Sequence, residues 1–347
     1  MSLWIILFLW SVACNSAANG RGTTSPNPMV GTVIVHHNRI IGEGWHHHAG
    51  AAHAEVNAVA AVHDKTRLRQ ATLYVSLEPC AHHGLTPPCA DLIIDQKIPQ
   101  VVVGSRDPFA EVDGKGIAKM RAAGIEVTTG IMQRECNWLN RRFFTFHQKQ
   151  RPYIILKWAQ TQDGYIDHER AKGERGVNWI TTPETRNLVH QWRAQEDAIM
   201  VGGGTVLNDD PALSVRDASG RQPTRIVLSQ NEKIPPDAQV FDGQIPSLYF
   251  SETAPTSQGQ FTHIDLKPGK EALDQVMAEA YQRGIQSILV EGGAGLLHSF
   301  IKKNLWDEAR VLTGKGYYSK GLKAPLLGQR GTEKLRFGQD QLEIFYR

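Results

Sequence analysis

Hydrophobic positions along the first 150 residues fall into short blocks separated by helical patterns. Met29–Val35 (MVGTVIV), Thr72–Ser76 (TLYVS), Gln100–Gly104 (QVVVG) and Ile125–Thr128 read as strands, and Ile40–Ile41 pairs with the first across the turn His36–Arg39. Between them, His53–Val62 is Ala-rich and helical, Ala90–Gln96 continues a helix opened by Pro87-Pro88, and Gly116–Ala123 is a third helix. Strands alternating with helices predict an α/β fold with mostly parallel strands, here one three-layer αβα sandwich. The polar, Pro-terminated segment Gln148–Pro152 (QKQRP) marks a boundary, giving domains 1–148 and 152–347. Beyond it the alternation resumes. Tyr153–Trp158, Ala198–Val201, Arg225–Leu228, Ser247–Phe250 and Ser287–Val290 are strands, with helices over Pro183–Ala194, Lys270–Arg283 and Ala294–Lys303.

One block breaks this rhythm. Leu3–Trp10 (LWIILFLW) is continuously apolar and runs into Ser11-Val12-Ala13-Cys14. It is shorter than the ~20 apolar residues of a membrane span and lacks the preceding Lys or Arg of a secretory signal. A buried first helix, a misplaced start codon and an export signal are the three readings, and no other stretch resembles a membrane span.

Composition narrows the chemistry. Lys and Arg total 38 against 35 Asp and Glu, a formal charge of +3, too balanced to suggest a nucleic-acid binder. Four cysteines in 347 residues do not make a disulfide framework and point to metal or thiol chemistry in a reducing compartment. All four, Cys14, Cys80, Cys89 and Cys136, lie before residue 150, with most of the histidines. Metal chemistry therefore belongs to the first domain.

The sharpest feature there is His53-Ala54-Glu55 followed by Pro79-Cys80 and Cys89. One imidazole and two thiolates suit Zn²⁺ and leave its fourth tetrahedral position for a water, which the metal acidifies for attack on an sp² carbon. Glu55 flanks the site without being a ligand, placed to carry the water's proton to a ring nitrogen and to departing ammonia. A purely structural zinc site would recruit His82 or His83 as a fourth ligand. One of His46–His48 faces the substrate, whereas Cys14 and Cys136 read as buried small side chains. In the second domain two glycine clusters each join a strand to a helix: Val201-Gly202-Gly203-Gly204-Thr205, running on to Asn208–Leu213, and Val290-Glu291-Gly292-Gly293-Ala294-Gly295-Leu296. Such loops let a backbone approach an anion at a helix start, but no G-x-G-x-x-G follows a strand, which argues against an ordinary Rossmann fold.

The H-x-E…P-C pattern is that of the zinc nucleobase and nucleotide deaminases, with eight residues between the cysteines instead of two. Asn27-Pro28 with Gly31, HAE at 53–55 and EPCAHHGLTPPC at 78–89 resemble the deaminase half of the bacterial RibD family of riboflavin-biosynthesis proteins. Lys157–Gly164 (KWAQTQDG), Asn178–Thr181, Trp192–Ala194, the segment from Thr205 to Arg216 and Val290–Gly293 resemble its reductase half in the same order. The resemblance implies a cytidine-deaminase-like domain joined to a dihydrofolate-reductase-like domain that uses NADPH. It further implies deamination of a diaminopyrimidinone carrying a phosphoribosylamino group, then reduction at C1 of its ribose. Zinc falls to His53, Cys80 and Cys89, with Glu55 catalytic. Gln160, Trp179, Thr205, Asp209 and Ser229 would adjoin NADPH, and Gly293, Ala294, Gly295, Leu296, Leu297, His298 and Ser299 its phosphates. Val177, Arg193, Leu213, Arg216 and Glu291 would face the substrate, the arginines binding its phosphate in forked geometry. A cytoplasmic homo-oligomer, dimer or tetramer, acting on small molecules rather than nucleic acid or membrane, completes the expectation. The rival reading is a zinc deaminase of another nucleotide or base fused to an NADPH-binding domain. Three features depart from the family: Leu85 replaces a usual basic residue, Asp107-Pro108-Phe109-Ala110 replaces DPNP, and the apolar run Leu3–Trp10 replaces an amphipathic N-terminal helix. The missing charge removes one contact to the substrate's phosphate, unless Arg106 or Lys115 reaches it from the neighbouring loop.

Overall fold

The apolar blocks of the N-terminal half form strands because helices cover both of their faces. The computed structural model describes residues 3–83, 87–171, 174–230, 233–253, 255 and 259–347, and the chain divides into two units, Met1–Gln150 and Arg151–Arg347. In the first unit β1 (Gly31–His36), β2 (Arg39–Trp45), β3 (Thr72–Leu77), β4 (Gln100–Ser105) and β5 (Glu126–Thr129) make a sheet of order β2-β1-β3-β4-β5. β1 is antiparallel to both neighbours, and β3, β4 and β5 run parallel. Successive side chains alternate between faces. Ile34, Leu73 and Val75 pack with α2 (Ala54–Ala61), α3 (Cys89–Asp95) and α4 (Lys115–Ala122), while Val33, Val35 and Tyr74 pack with α1 (Leu3–Ala18) and α5 (Gln133–Leu139). A further helix, α6 (Arg141–Lys149), ends the unit.

The N-terminal apolar block is helix α1, whose residues Leu9, Trp10, Ala13 and Ala17 are buried. Trp10 meets Tyr74 edge-on at 6.4 Å between ring centroids. The helix backbone lies against β1 itself: a Cβ at Gly31 would stand 2.0 Å from the Ala13 carbonyl oxygen. Among the described residues no helix is long and apolar enough to cross a membrane.

The second unit is built on nine strands in the order β11-β10-β9-β8-β12-β6-β13-β16-β15. They are β6 (Tyr153–Gln160), β8 (Ala198–Gly202), β9 (Thr224–Leu228), β10 (Ser247–Ser251), β11 (Thr262–Asp265), β12 (Ser287–Val290), β13 (Glu308–Thr313), β15 (Glu333–Phe337) and β16 (Asp340–Tyr346). Pairing is parallel from β11 to β13, in keeping with the expectation of mostly parallel strands, and antiparallel from β13 to β15. A small ribbon pairs β7 (Tyr165–His168) with β14 (Gly321–Lys323). One face of the large sheet is covered by α9 (Ala272–Gln282) and α10 (Ala294–Lys302), through Val276, Met277, Leu297 and Phe300. The other is covered in part by α7 (Pro183–Gln195), through Val189 and Trp192. The glycine cluster after β8 is already helical, as α8 (Gly203–Asp209). The clusters after β8 and β12 therefore sit on neighbouring parallel strands, at the same edge of the sheet.

Candidate functional site

In the first unit, α2 presents His53 at its N-cap and Glu55 in its first turn, Cys80 follows β3, and Cys89 opens α3. The ligand atoms of His53, Cys80 and Cys89 lie within 4.8 Å of one another, the sole such grouping of His, Cys, Asp and Glu among the described residues. His53 Nδ1 is 3.3 Å from Cys89 Sγ and 3.6 Å from Cys80 Sγ. A tetrahedral zinc with ~2.0–2.1 Å bonds to nitrogen and ~2.3 Å to sulfur places those atoms about 3.5 Å apart, so the three residues fit the metal. Neither His82 nor His83 joins them, which removes the four-ligand structural alternative. The Cys80 thiol is lowered to about 4 by hydrogen bonding to Cys89 and then to His53, favouring the thiolate a metal needs. The same contact and burial push Cys89 upward.

Glu55 is 3% exposed. Burial, then the nearby Cys80 charge, raises its carboxyl to about 7, where it can both take and release a proton near neutrality. His46 is the member of the triple-His tract that reaches this place: its ring meets that of His53 at 5.3 Å. Its Nδ1–H donates to the Ala52 carbonyl at 3.1 Å and its Nε2 accepts from Asn27 Nδ2 at 3.0 Å. Both nitrogens are thereby committed to the neutral ring, in agreement with a pKa lowered by burial. Sequence reasoning singled out Asn27 as part of a motif without giving it this task.

The floor beneath the ligands is held by Glu78. Its buried carboxylate accepts backbone N–H bonds from Gly114 at 2.9 Å, Ile117 at 3.1 Å and Asp107 at 3.3 Å, tying the chain before Cys80 to the start of α4. Gly116 is required there, since a Cβ would come within 1.9 Å of the Pro79 carbonyl oxygen. Phe109 stands against His82 and His147, at ring centroid distances of 6.1 and 5.2 Å. Arg106 is paired with Asp113 at 2.8 Å, and Lys115 donates to the Ala110 carbonyl at 3.0 Å. Leu85 lies outside the described residues.

The second unit carries a cavity of about 900 Å³ over the ends of β8, β9 and β12. Trp179, Thr205, Asp209, Ser229 and the segment Gly293–Leu297 with Ser299 line it, as do Val177, Arg193, Leu213, Arg216 and Glu291. Gln160 and His298 do not. Gln160 accepts from Trp158 Nε1 at 2.9 Å, and exposed His298 turns its ring to the Ala294 carbonyl of its own helix. Trp179 is 56% exposed, with the Arg186 guanidinium 4.2 Å over its ring. The backbone at Gly293 has φ +64°, and a Cβ there would press to 3.2 Å on Thr205 Oγ1, so this glycine keeps the two clusters close. Asp209 is bonded to Arg170 at 3.1 Å.

In the cavity wall Glu291 is gripped by cations. Arg193 Nε and Nη2 donate to its two carboxylate oxygens at 2.6 and 2.9 Å, and Lys157 Nζ stands 3.3 Å away. Against the pull of burial, Arg193 and then Lys157 lower Glu291 to about 2. Arg193 is therefore spent on Glu291 and on the Ser214 carbonyl, at 3.0 Å, rather than free to fork a phosphate. Lys157 was not picked out as a site residue from sequence. Its signal was present in the strand sequence YIILKWAQ, where a lone Lys interrupts an apolar run.

Fold and site together define a class: a zinc-dependent, cytidine-deaminase-like hydrolase domain followed by a dihydrofolate-reductase-like, NADPH-dependent reductase domain. The family models agree, matching a cytidine and deoxycytidylate deaminase zinc-binding region at residues 7–105 and a RibD C-terminal domain at residues 152–315. The riboflavin biosynthesis protein RibD of Aquifex aeolicus is 38% identical over 93% of this chain and 90% of its own, and that of Escherichia coli K12 is 38% identical over 86% and 84%. A crystal structure from Thermotoga maritima, described as a diaminohydroxyphosphoribosylaminopyrimidine deaminase/5-amino-6-(5-phosphoribosylamino)uracil reductase, superposes with a TM-score of 0.85 at 33% identity, covering 99% of each chain. RibD of Acinetobacter baumannii superposes with a TM-score of 0.87 at 29% identity and the same coverage. The chain belongs to the RibD family, the bifunctional deaminase–reductases of riboflavin biosynthesis.

Proposed function

We propose that residues 1–148 deaminate a diaminohydroxyphosphoribosylaminopyrimidine and that residues 152–347 reduce 5-amino-6-(5-phosphoribosylamino)uracil to its ribityl product. The observation that carries the first half is Glu55: a buried carboxyl poised near 7 beside a His–Cys–Cys triad. Zinc held by His53, Cys80 and Cys89 would supply an acidified water as nucleophile. Glu55 would take one proton from that water and pass it to a ring nitrogen, then carry the second, from the newly added hydroxyl, to the leaving ammonia. Neutral His46, fixed by Ala52 and Asn27, offers the pyrimidine a wall that does not compete for that proton.

In the second half NADPH would supply the hydride, and Trp179 with the glycine-rich segment Gly293–Leu297 and Ser299 would hold it. Thr205, Asp209 and Ser229 complete its bed. Glu291, fixed by Arg193 and Lys157, accepts hydrogen bonds from the substrate, while Val177 and Leu213 bound its space and Arg216 takes its phosphate. Positioning of the sugar carbon against the nicotinamide is the main catalytic contribution asked of the protein. The family likeness also supports a cytoplasmic homo-oligomer, dimer or tetramer, without nucleic acid or membrane. The test is an assay that follows ammonia release and NADPH oxidation separately, with the diamino- and the deaminated pyrimidine as substrates. With the diamino substrate, ammonia release without subsequent NADPH oxidation, or NADPH oxidation without ammonia release, would break the two-step reading.

A further inference from the structure

The segment after α8 is held with unusual thoroughness for an irregular stretch of chain. Leu213 sits at φ +51°, a left-handed conformation that a non-glycine residue keeps only when its surroundings enforce it. The backbone beyond it is pinned at four successive points. Arg193 Nη1 donates to Ser214 O at 3.0 Å. The Gln222 side chain brackets Val215, accepting from its N–H at 2.7 Å and donating to its carbonyl at 3.0 Å. His190 Nδ1 accepts from the Arg216 N–H at 3.3 Å. Only then does a side chain stand clear: Arg216 is exposed on the cavity wall, and among the described residues its guanidinium makes no hydrogen bond or ion pair.

His190 and Arg193 lie three residues apart on α7, so one helix face reaches both ends of this loop. His190 is 5% exposed. Because Nδ1 accepts the Arg216 N–H, the ring's proton is on Nε2, which points to Asp217 Oδ2 at 3.4 Å. We infer that His190 is a positioning residue of the reductase half, whose unprotonated Nδ1 fixes the Arg216 backbone and thereby aims that guanidinium at the substrate's phosphate. The inference rests on the reading that Arg216 binds that phosphate.

The arrangement is sensitive to acid. A proton on Nδ1 would set a donor against the Arg216 N–H and break the anchor. The charged groups facing the ring are Arg193 on its own helix, Arg216 and Asp217 on the loop, and Glu291 after β12. Burial, with Arg193 and Arg216, outweighs Asp217 and Glu291, so the ring titrates below the ordinary histidine range. The anchor is therefore whole at neutral pH and is lost only on acidification.

The experiment is steady-state reduction by the full-length protein of 5-amino-6-(5-phosphoribosylamino)uracil and of its dephosphorylated riboside, from pH 5 to 8. His190→Leu is expected to raise KM for the phosphorylated substrate about tenfold with kcat within about twofold, and to leave the riboside's KM alone. His190→Asn, which offers a carboxamide oxygen in place of Nδ1, should restore KM at neutral pH and abolish the acid rise seen in the wild type. An unchanged KM in His190→Leu, or an equal rise for both substrates, overturns the inference. If that variant does not fold, the pH profile of His190→Asn decides alone, and an acid rise like the wild type's overturns it. Arg216→Gln separates the two readings. No loss of phosphate preference there refutes the role of Arg216 itself, whereas a loss there with none in His190→Leu refutes only the anchor.

Discussion

Replacing Glu291 by Gln keeps the shape of the side chain and removes its charge, which makes the central ion cluster of the reductase half a quantitative test. In the folded protein this carboxyl is lowered from 4.5 to about 2; at 1.36 kcal/mol per pH unit that is worth about 3 kcal/mol at neutral pH. An independent route gives the same scale. Arg193 and Lys157 are each 14% exposed, and removing one partner of a buried ion pair typically costs ~3–5 kcal/mol because the remaining charge stays buried. For a domain of roughly 150–250 residues each kcal/mol moves the melting temperature by ~2–4 °C, so Glu291→Gln should lower the reductase unfolding transition by about 6–12 °C. The pH dependence has a definite sign. A depressed carboxyl contributes its full stability above its unfolded value of 4.5 and loses it as pH falls toward 2. The difference between wild type and variant should therefore be widest near neutrality and close below pH 4.5. Calorimetry of the full chain at pH 7 and at pH 3.5 provides the measurement. A variant that melts with the wild type at pH 7, or a gap that fails to narrow in acid, would refute the account of Glu291 as a compensated buried anion.

Three further outcomes are expected. Glu55→Gln should retain one zinc per chain by metal analysis but release ammonia ~10²–10⁴-fold more slowly, while NADPH oxidation with the deaminated pyrimidine continues; near-normal ammonia release would contradict the proton-carrier role. Gly116→Ala must displace the Pro79 carbonyl, 1.9 Å from the new methyl, and should weaken zinc retention against a chelator although residue 116 touches no ligand; unaltered retention would show that the Cys80 loop moves freely of α4. NADPH should quench the intrinsic fluorescence through Trp179, so that Trp179→Phe removes most of the saturable signal; a full signal in that variant would place the cofactor elsewhere.

How much of this was legible beforehand varied with the physics behind each feature. Strands such as β1 and β4 were readable because burial of both faces leaves little room for polar residues, and the zinc ligands because few residue types bind that metal. By contrast, β13 begins Glu-Ala-Arg, and charge masked a strand that is buried up to its last residue. Its Glu308 and Arg310 neutralise each other at 2.7 Å, and Tyr153 donates to the same carboxylate at 3.1 Å. The antiparallel strand β15 (EKLRF) is largely exposed and carried no apolar pattern to find. In α8 the leading glycines suggested a turn, yet the helix begins on them. The union of Arg193, Lys157 and Glu291 was the hardest to foresee, since the partners are 98 and 134 positions apart in the chain. No local pattern states that two cations will converge on one acid.

The position of β6 in its sheet has a consequence for how the protein is made. It is the first strand of the second unit to leave the ribosome, yet its neighbours are β12 and β13, whose paired residues begin with Ser287 and Glu308. In the folded sheet none of the intervening hundred-odd residues pairs with its edges, and non-local pairings of this kind slow folding. The first unit, by contrast, closes its sheet within its own 150 residues. Synthesis thus separates the two catalysts in time. The deaminase half can acquire its metal while the reductase half is still an open chain, and the strand bearing Lys157 is without its native sheet partners until the last fifth of the sequence is made.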